Sequence, residues 1–183
     1  MDELLGFVKL IASRLDSARI PYMVTGSMAM AVYAMPRMTR DIDLVVEVGP
    51  SDVERIVALF SEDCYVDGDS VRQAVRERGM FNIIHNDWVI KADFIVRKDE
   101  EYRRQEFARR QRITIEDATV SIVAAEDLVL SKLAWVKGAR SGLQLQDAHQ
   151  IMSAVPQLDW EYMHKWAAIL GVGDLLREAK GHE

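Results

Sequence analysis

Residues 25–48 read TGSMAMAVYAMPRMTRDIDLVVEV. A Gly-Ser pair opens a run of small and apolar residues that holds no acid, and Asp41 and Asp43 then stand one residue apart before Leu44, Val45 and Val46. The apolar run after the acids reads as a buried strand, Asp41 to Val48. Successive side chains of a strand point to opposite faces, so Asp41 and Asp43 share a face while Ile42 turns to the other. Two carboxylates held that close repel each other unless a cation lies between them. Hard cations such as Mg²⁺ take carboxylate oxygens together with substrate phosphates. A third acid comes from KADFIV, where Asp93 sits inside a β-rich run. An acid placed there needs a partner or an ion, because burying an unpaired charge is costly.

The first half of the stretch supplies the complement. Gly26 lets the backbone approach a ligand closely, and Ser27 is read as the cap of a helix that runs to about Tyr33 and is ended by Pro36. The first N–H groups of such a helix, with its dipole, attract phosphate. Arg37 and Arg40, in the loop before the acids, are placed to offset further phosphate charge. The set is what metal-assisted phosphoryl or nucleotidyl transfer requires.

Outward from this stretch the chain shows no repeat and no long linker. Leu4, Leu5, Phe7, Val8, Ile11, Ala12 and Leu15 fall at helical spacing, and Tyr22 to Thr25 reads as a short strand. Ser51 and Glu54 form a capping box for a helix to about Phe60, and a further short helix covers Ser70 to Arg78. Met80 to His85 and Trp88 to Val96 flank Asn86-Asp87 as a hairpin. Asp99 begins an arginine-rich helix, and Arg112 to Glu116 and Thr119 to Val123 form a second hairpin turning at Asp117-Ala118. From Ala125 onward the pattern is helical alone: Glu126 to Val136 before Gly138, Leu143 to Ala154, a helix capped by Asp159 running to Ile169, and a short one from Asp174. The fold class is therefore α/β (α+β), with an α/β core over 1–123 and a helical region over 124–183.

Composition is that of a globular chain: 183 residues, 49% apolar, 28% charged and a formal net charge of -6. The acidity argues against a general nucleic-acid coat protein. Cys64 is the single cysteine, which excludes an internal disulfide framework and a four-cysteine zinc site. The start MDELLGF lacks a basic signal flank, and the longest uncharged stretch, Ile20 to Pro36, is too short and too broken for a membrane span. A soluble cytoplasmic protein is expected. Residues 97–112, RKDEEYRRQEFARRQR, carry Arg103, Arg104, Arg109 and Arg110 among acids. They suit either a solvated helix face or a patch for a polyanionic acceptor. The methionines around the Gly-Ser turn read as core filling. His85, His149, His164 and His182 show no ligand spacing. Trp135, Trp160 and Trp166 are expected to anchor the helical region in the core.

Gly26-Ser27, a thirteen-residue spacer, Asp41-Ile42-Asp43 and a separate Asp93 among apolar neighbours resemble the signature of the nucleotidyltransferase superfamily of DNA polymerase β type. RMTRDIDLVV, with EDLVLSKLAW and QLQDA downstream, is similar more narrowly to the abortive-infection AbiEii-like toxin nucleotidyltransferases, over roughly residues 20–170. The resemblance implies a small mixed sheet flanked by helices, followed by a helical region. It implies that Asp41 and Asp43 bind Mg²⁺ as a two-metal site, that Asp93 is the general base or second metal ligand, and that Ser27 contacts the triphosphate. Lys132 and Asp147 would complete the site from the helical region, with Lys91 a competitor for the lysine role. The implied activity moves a nucleoside monophosphate from an NTP to a hydroxyl, releasing pyrophosphate. The acceptor stays open between RNA such as tRNA, protein and a small molecule of aminoglycoside type, and an antitoxin protein is an implied partner of the toxin branch. A silent nucleotide- or partner-binding module on the same fold is the alternative from another class.

Overall fold

Phe7, Val8, Ile11, Ala12 and Leu15 recur every three or four residues, and in the computed structural model they form the buried face of helix α1 (Asp2–Ser17). The structure describes residues 2–35, 39, 41–139 and 142–181. After α1 come strand β1 (Tyr22–Thr25), helix α2 (Gly26–Tyr33), strand β2 (Asp41–Val46), a 3-10 turn at Pro50–Asp52, helix α3 (Val53–Phe60) and strand β3 (Cys64–Val66). Helix α4 (Gly68–Glu77) leads to strands β4 (Met80–His85) and β5 (Lys91–Val96), helix α5 (Glu101–Ala108), and strands β6 (Gln111–Ile115) and β7 (Ala118–Ile122). Helices α6 (Ala125–Ala139), α7 (Gly142–Ala154), α8 (Trp160–Leu170) and α9 (Gly173–Lys180) follow.

Among the described residues the strands make one sheet in the order β3-β4-β5-β2-β1-β7-β6. The β2–β5 and β1–β7 pairs are parallel and the others antiparallel. Strand alternation divides β2 between two cores. Ile42, Leu44 and Val46 are fully buried against α1, α3 and α4, each worth roughly 1.5–3 kcal/mol relative to exposure. Val45 turns the other way and packs into a second core with Met23, Met30, Ile122 and helices α6 to α9. Asp41 and Asp43 share the face of Val45. A slip of one residue would bury both acids in the first core, so the apolar triplet fixes the register.

Several local expectations shift. The β4–β5 pair joins Asn82 to Asp93 and Ile84 to Lys91, two residues off a tight turn at Asn86-Asp87. Trp88 is not in the strand. It stacks on the His85 ring at 3.9 Å and meets Phe7 edge-on, a packing gain that outweighs strand extension. The second hairpin turns at Glu116-Asp117, with Glu116 at φ 55°. Helix α4 starts earlier than expected because the Asp67 side chain caps it through the Ser70 N–H at 3.0 Å. Trp166 is buried and Trp160 partly so, but Trp135 is 65% exposed and anchors nothing. Among the described residues no helix is long and apolar enough to cross a membrane.

Candidate active site

The parallel register of β2 and β5 sets Asp41 beside Lys91 and Asp43 beside Asp93. Because alternate residues share a face, these four side chains form a two-by-two array on the face covered by α2 and α6. The Lys91 ammonium donates to Asp93 Oδ2 at 2.9 Å and lies 3.8 Å from Asp41 Oδ1. Asn82, across the strand pair, donates its amide to Asp93 Oδ1. Asp93 is nearly buried while Asp41 is exposed. Burial, then the charges of Asp93 and Asp41, push the Asp43 carboxyl above its ordinary value, against the pull of Lys91 and Lys132. The Lys91 ammonium is raised by its bond to Asp93.

Gly26 is fitted to this array. It sits at φ +62°, and a Cβ there would stand 2.1 Å from Asp43 Oδ2. Only glycine allows the first turn of α2 to lie against the Asp43 carboxylate. Ser27 does not take the cap position expected for it: the helix begins at Gly26, Thr25 is the N-cap, and no side chain caps it. Ser27 is thereby the second residue of the helix. Arg37 and Arg40 lie outside the described residues.

The helical region adds a second pair. Lys132 on α6 donates to Asp147 Oδ2 on α7 at 2.7 Å and to Gln144 Oε1 at 3.1 Å. Both charged groups are buried, and the positive charge of Lys132 is felt at Asp43. Gln144 and Asn82 were not singled out in the sequence. Asn82 carried a signal, as the polar residue between Phe81 and Ile83, but its partner depended on a hairpin register that the turn residues misplaced.

In the arginine-rich segment Arg103 and Arg109 reach inward, while Arg104 and Arg110 bond locally. Arg103 bonds Glu106 and Ser131, each at 2.8 Å, and Arg109 bonds Asp127 at 2.9 Å and lies over the Tyr162 ring at 3.8 Å. Arg104 bonds the Asp99 carbonyl and Arg110 the Phe107 carbonyl, both at 2.6 Å. Burial raises the Glu106 carboxyl, which Arg103 and Ser131 offset. The contacts of Arg103 and Arg109 tie this segment to α6 and α8.

Three carboxylates on adjacent strand positions form an all-oxygen donor set suited to Mg²⁺, and the crowding at Asp43 is what a cation there would relieve. Among the described residues no group of three or more His, Cys, Asp or Glu that could hold a metal ion is formed. Mg²⁺ at phosphate-transfer sites needs none, since one or two carboxylates plus substrate phosphates suffice. The oxygen donors of Asp41, Asp43 and Asp93 suit the ion in kind.

A family model described as aminoglycoside-2''-adenylyltransferase matches residues 7–154. No curated protein sequence matches the chain. Among solved structures, an antigenic nucleotidyltransferase-like protein from Paracoccidioides brasiliensis superposes with a TM-score of 0.61 at 18% identity, covering 97% of this chain and 92% of its own. ANT(2'')-Ia in complex with adenylyl-2''-tobramycin superposes at 0.56 with 15% identity, covering 93% and 98%. A lincomycin-bound lincosamide antibiotic adenylyltransferase superposes at 0.53 with 11% identity, covering 85% and 98%. At these identities the structural likeness is one of fold: a mixed sheet with flanking helices.

Proposed function

The chain belongs to the aminoglycoside-2''-adenylyltransferase family and is a nucleotidyltransferase, and from that premise we propose that it transfers a nucleoside monophosphate from an NTP to a hydroxyl of a small, cationic, polyhydroxylated acceptor. The observation that carries the site is the array of Asp41, Asp43 and Asp93 on one strand face, with Gly26 against Asp43. These three carboxylates would hold Mg²⁺, which when bound would neutralise charge on the α-phosphate and make the acceptor hydroxyl more acidic. Asp93 takes the hydroxyl proton. The acceptor oxygen bonds to the α-phosphorus while the bond from that phosphorus to the bridging oxygen breaks, and the electron pair leaves with pyrophosphate. Ser27 and the N–H groups at the start of α2 hold the departing phosphates, with Arg37 and Arg40 offsetting their charge. Asp147 positions Lys132, whose charge acts across the site.

Two features support a cationic small acceptor over RNA. The chain carries a net charge of -6, and the arginines 103, 104, 109 and 110 are engaged within the chain. A tRNA acceptor, with a toxin role and an antitoxin partner, would need cations free to meet phosphates. A cytoplasmic setting suits a consumer of NTPs.

Turnover of α-labelled NTPs with Mg²⁺, offered an aminoglycoside panel and tRNA in parallel, tests the reading. Label on an aminoglycoside with stoichiometric pyrophosphate is expected. Label on tRNA would transfer the reading to RNA, and nucleotide binding without pyrophosphate would make the chain a silent module. Asp43→Asn and Asp93→Asn should each cost at least about a hundredfold in turnover. The Asp43→Asn protein should melt no lower than wild type without metal. Its folded carboxyl value is raised, so the ionised group weakens the fold once the pH rises through that value, and the penalty disappears below the unfolded carboxylate range. The amide removes it at neutral pH. Melting well below wild type would count against charge crowding at Asp43.

A further inference from the structure

Lys91 stands where a cation would stand. Its ammonium donates to Asp93 Oδ2 at 2.9 Å and approaches Asp41 Oδ1 at 3.8 Å, so it bridges two strands across the acidic array. Asp93 has its other oxygen taken by Asn82. A metal ion at Asp93 would meet the like charge of the Lys91 ammonium, so the two compete for this carboxylate. Lys91 is the charged competitor and it can move aside: its side chain is 39% exposed, and its flexible four-carbon stem can carry the charge into water. Asn82 is neutral, so its bond to the other Asp93 oxygen does not oppose a cation.

We propose that Lys91 is a tethered counter-ion that occupies the cation position of the free enzyme and couples metal binding to nucleotide binding. This rests on the metal-dependent reading above. Without nucleotide, a divalent ion competes with an ammonium that is covalently held at the site, so metal binds weakly. When the triphosphate arrives, the displaced ammonium gains phosphate oxygens as partners and the metal takes the carboxylates. Each ligand then raises the affinity of the other by the same factor. The ammonium also offsets part of the repulsion that the three acids exert on one another. Lys91 is thus a positioning residue whose charge, rather than its bulk, matters.

The experiment is Mn²⁺ binding followed by the paramagnetic resonance of free Mn²⁺, with and without an α,β-methylene NTP, on wild type, Lys91→Met and Lys91→Arg. Circular dichroism checks that each is folded. In Lys91→Met, Mn²⁺ should bind about tenfold tighter or more without nucleotide, and most of the enhancement by nucleotide should be lost, within the range usual for coupled sites. Lys91→Arg keeps the charge and should resemble wild type. Equal or weaker Mn²⁺ binding in Lys91→Met overturns the counter-ion role while leaving the metal site standing. Absence of Mn²⁺ binding in wild type and Lys91→Met alike, even with nucleotide, overturns both. If Lys91→Met is unfolded, Lys91→Gln is measured by the same criterion.

Discussion

At Gly26 the backbone and the chemistry make one demand. The left-handed φ of +62° and the 2.1 Å from a notional Cβ to Asp43 Oδ2 both exclude a side chain. Gly26→Ala is expected to cost roughly 1–2 kcal/mol for the backbone alone. The carboxylate must also move, and a misplacement of about 1 Å costs on the order of a hundredfold in rate. Urea melts and turnover measured on the same preparation check this. Near-wild-type turnover in Gly26→Ala would show that the carboxylate position is not critical. Asp43 and Asp93 were legible in the sequence because acids among β-branched and aromatic neighbours conflict with local pattern, and such conflicts gather at functional sites. Lys91 was legible as a competitor for the lysine role. Its bond to Asp93 was not, since side-chain direction follows from the pairing.

At the scale of elements, α5 shows how charge pattern misleads when partners are distant in sequence. Arg109 bonds Asp127 at 2.9 Å and Glu126 at 3.1 Å, both on α6. The Asp127 side chain is fully buried. Burial raises its carboxyl, against the bonds from Tyr162 and Arg109. Arg109→Ala removes a partner from a buried acid, and such breakage costs about 3 kcal/mol or more. Chemical denaturation measures it. A loss below about 1 kcal/mol, the usual limit for an exposed pair, would return Arg109 to the surface. The i,i+3 bond from Arg103 to Glu106 was readable from spacing. The bonds to Asp127 and Ser131 needed α6 folded onto α5.

For the whole molecule, the sheet separates two cores, and only one is completed by the first 123 residues. Met23, Ala29, Met30, Tyr102, Phe107, Ile122 and Val123 belong to a buried cluster whose other members come mainly from α6 to α9, with Leu128, Leu133, Ile151 and Trp166 among them. A chain ending at Val123 would expose that sheet face, and also lose Lys132 and Asp147. It is expected to aggregate or to lack cooperative melting, as followed by scattering and calorimetry. A sharp transition in the 1–123 fragment would make the α/β core an independent unit. The face that carries Asp41, Asp43 and Asp93 is also the face of the second core, so the helical region that stabilises the fold lies on the side of the proposed site.

What the sequence by itself determined was local in cause. Period-two alternation in DIDLVV set which side of β2 carries the acids, helical spacing set α1, and Asp159 set the start of α8 through its bond to the Tyr162 N–H at 2.9 Å. Only the tertiary structure decided the β4–β5 register, the rings of His85 and Trp88 having drawn residues out of the expected strand. It alone decided that Asn82 meets Asp93, that Lys132 and Asp147 are a buried pair, and that Trp135 faces solvent. The physical reason is that alternation and caps act within a few residues, where chain geometry fixes the outcome. Pairing between strands and burial of charges depend on which surfaces meet, and no short stretch contains both.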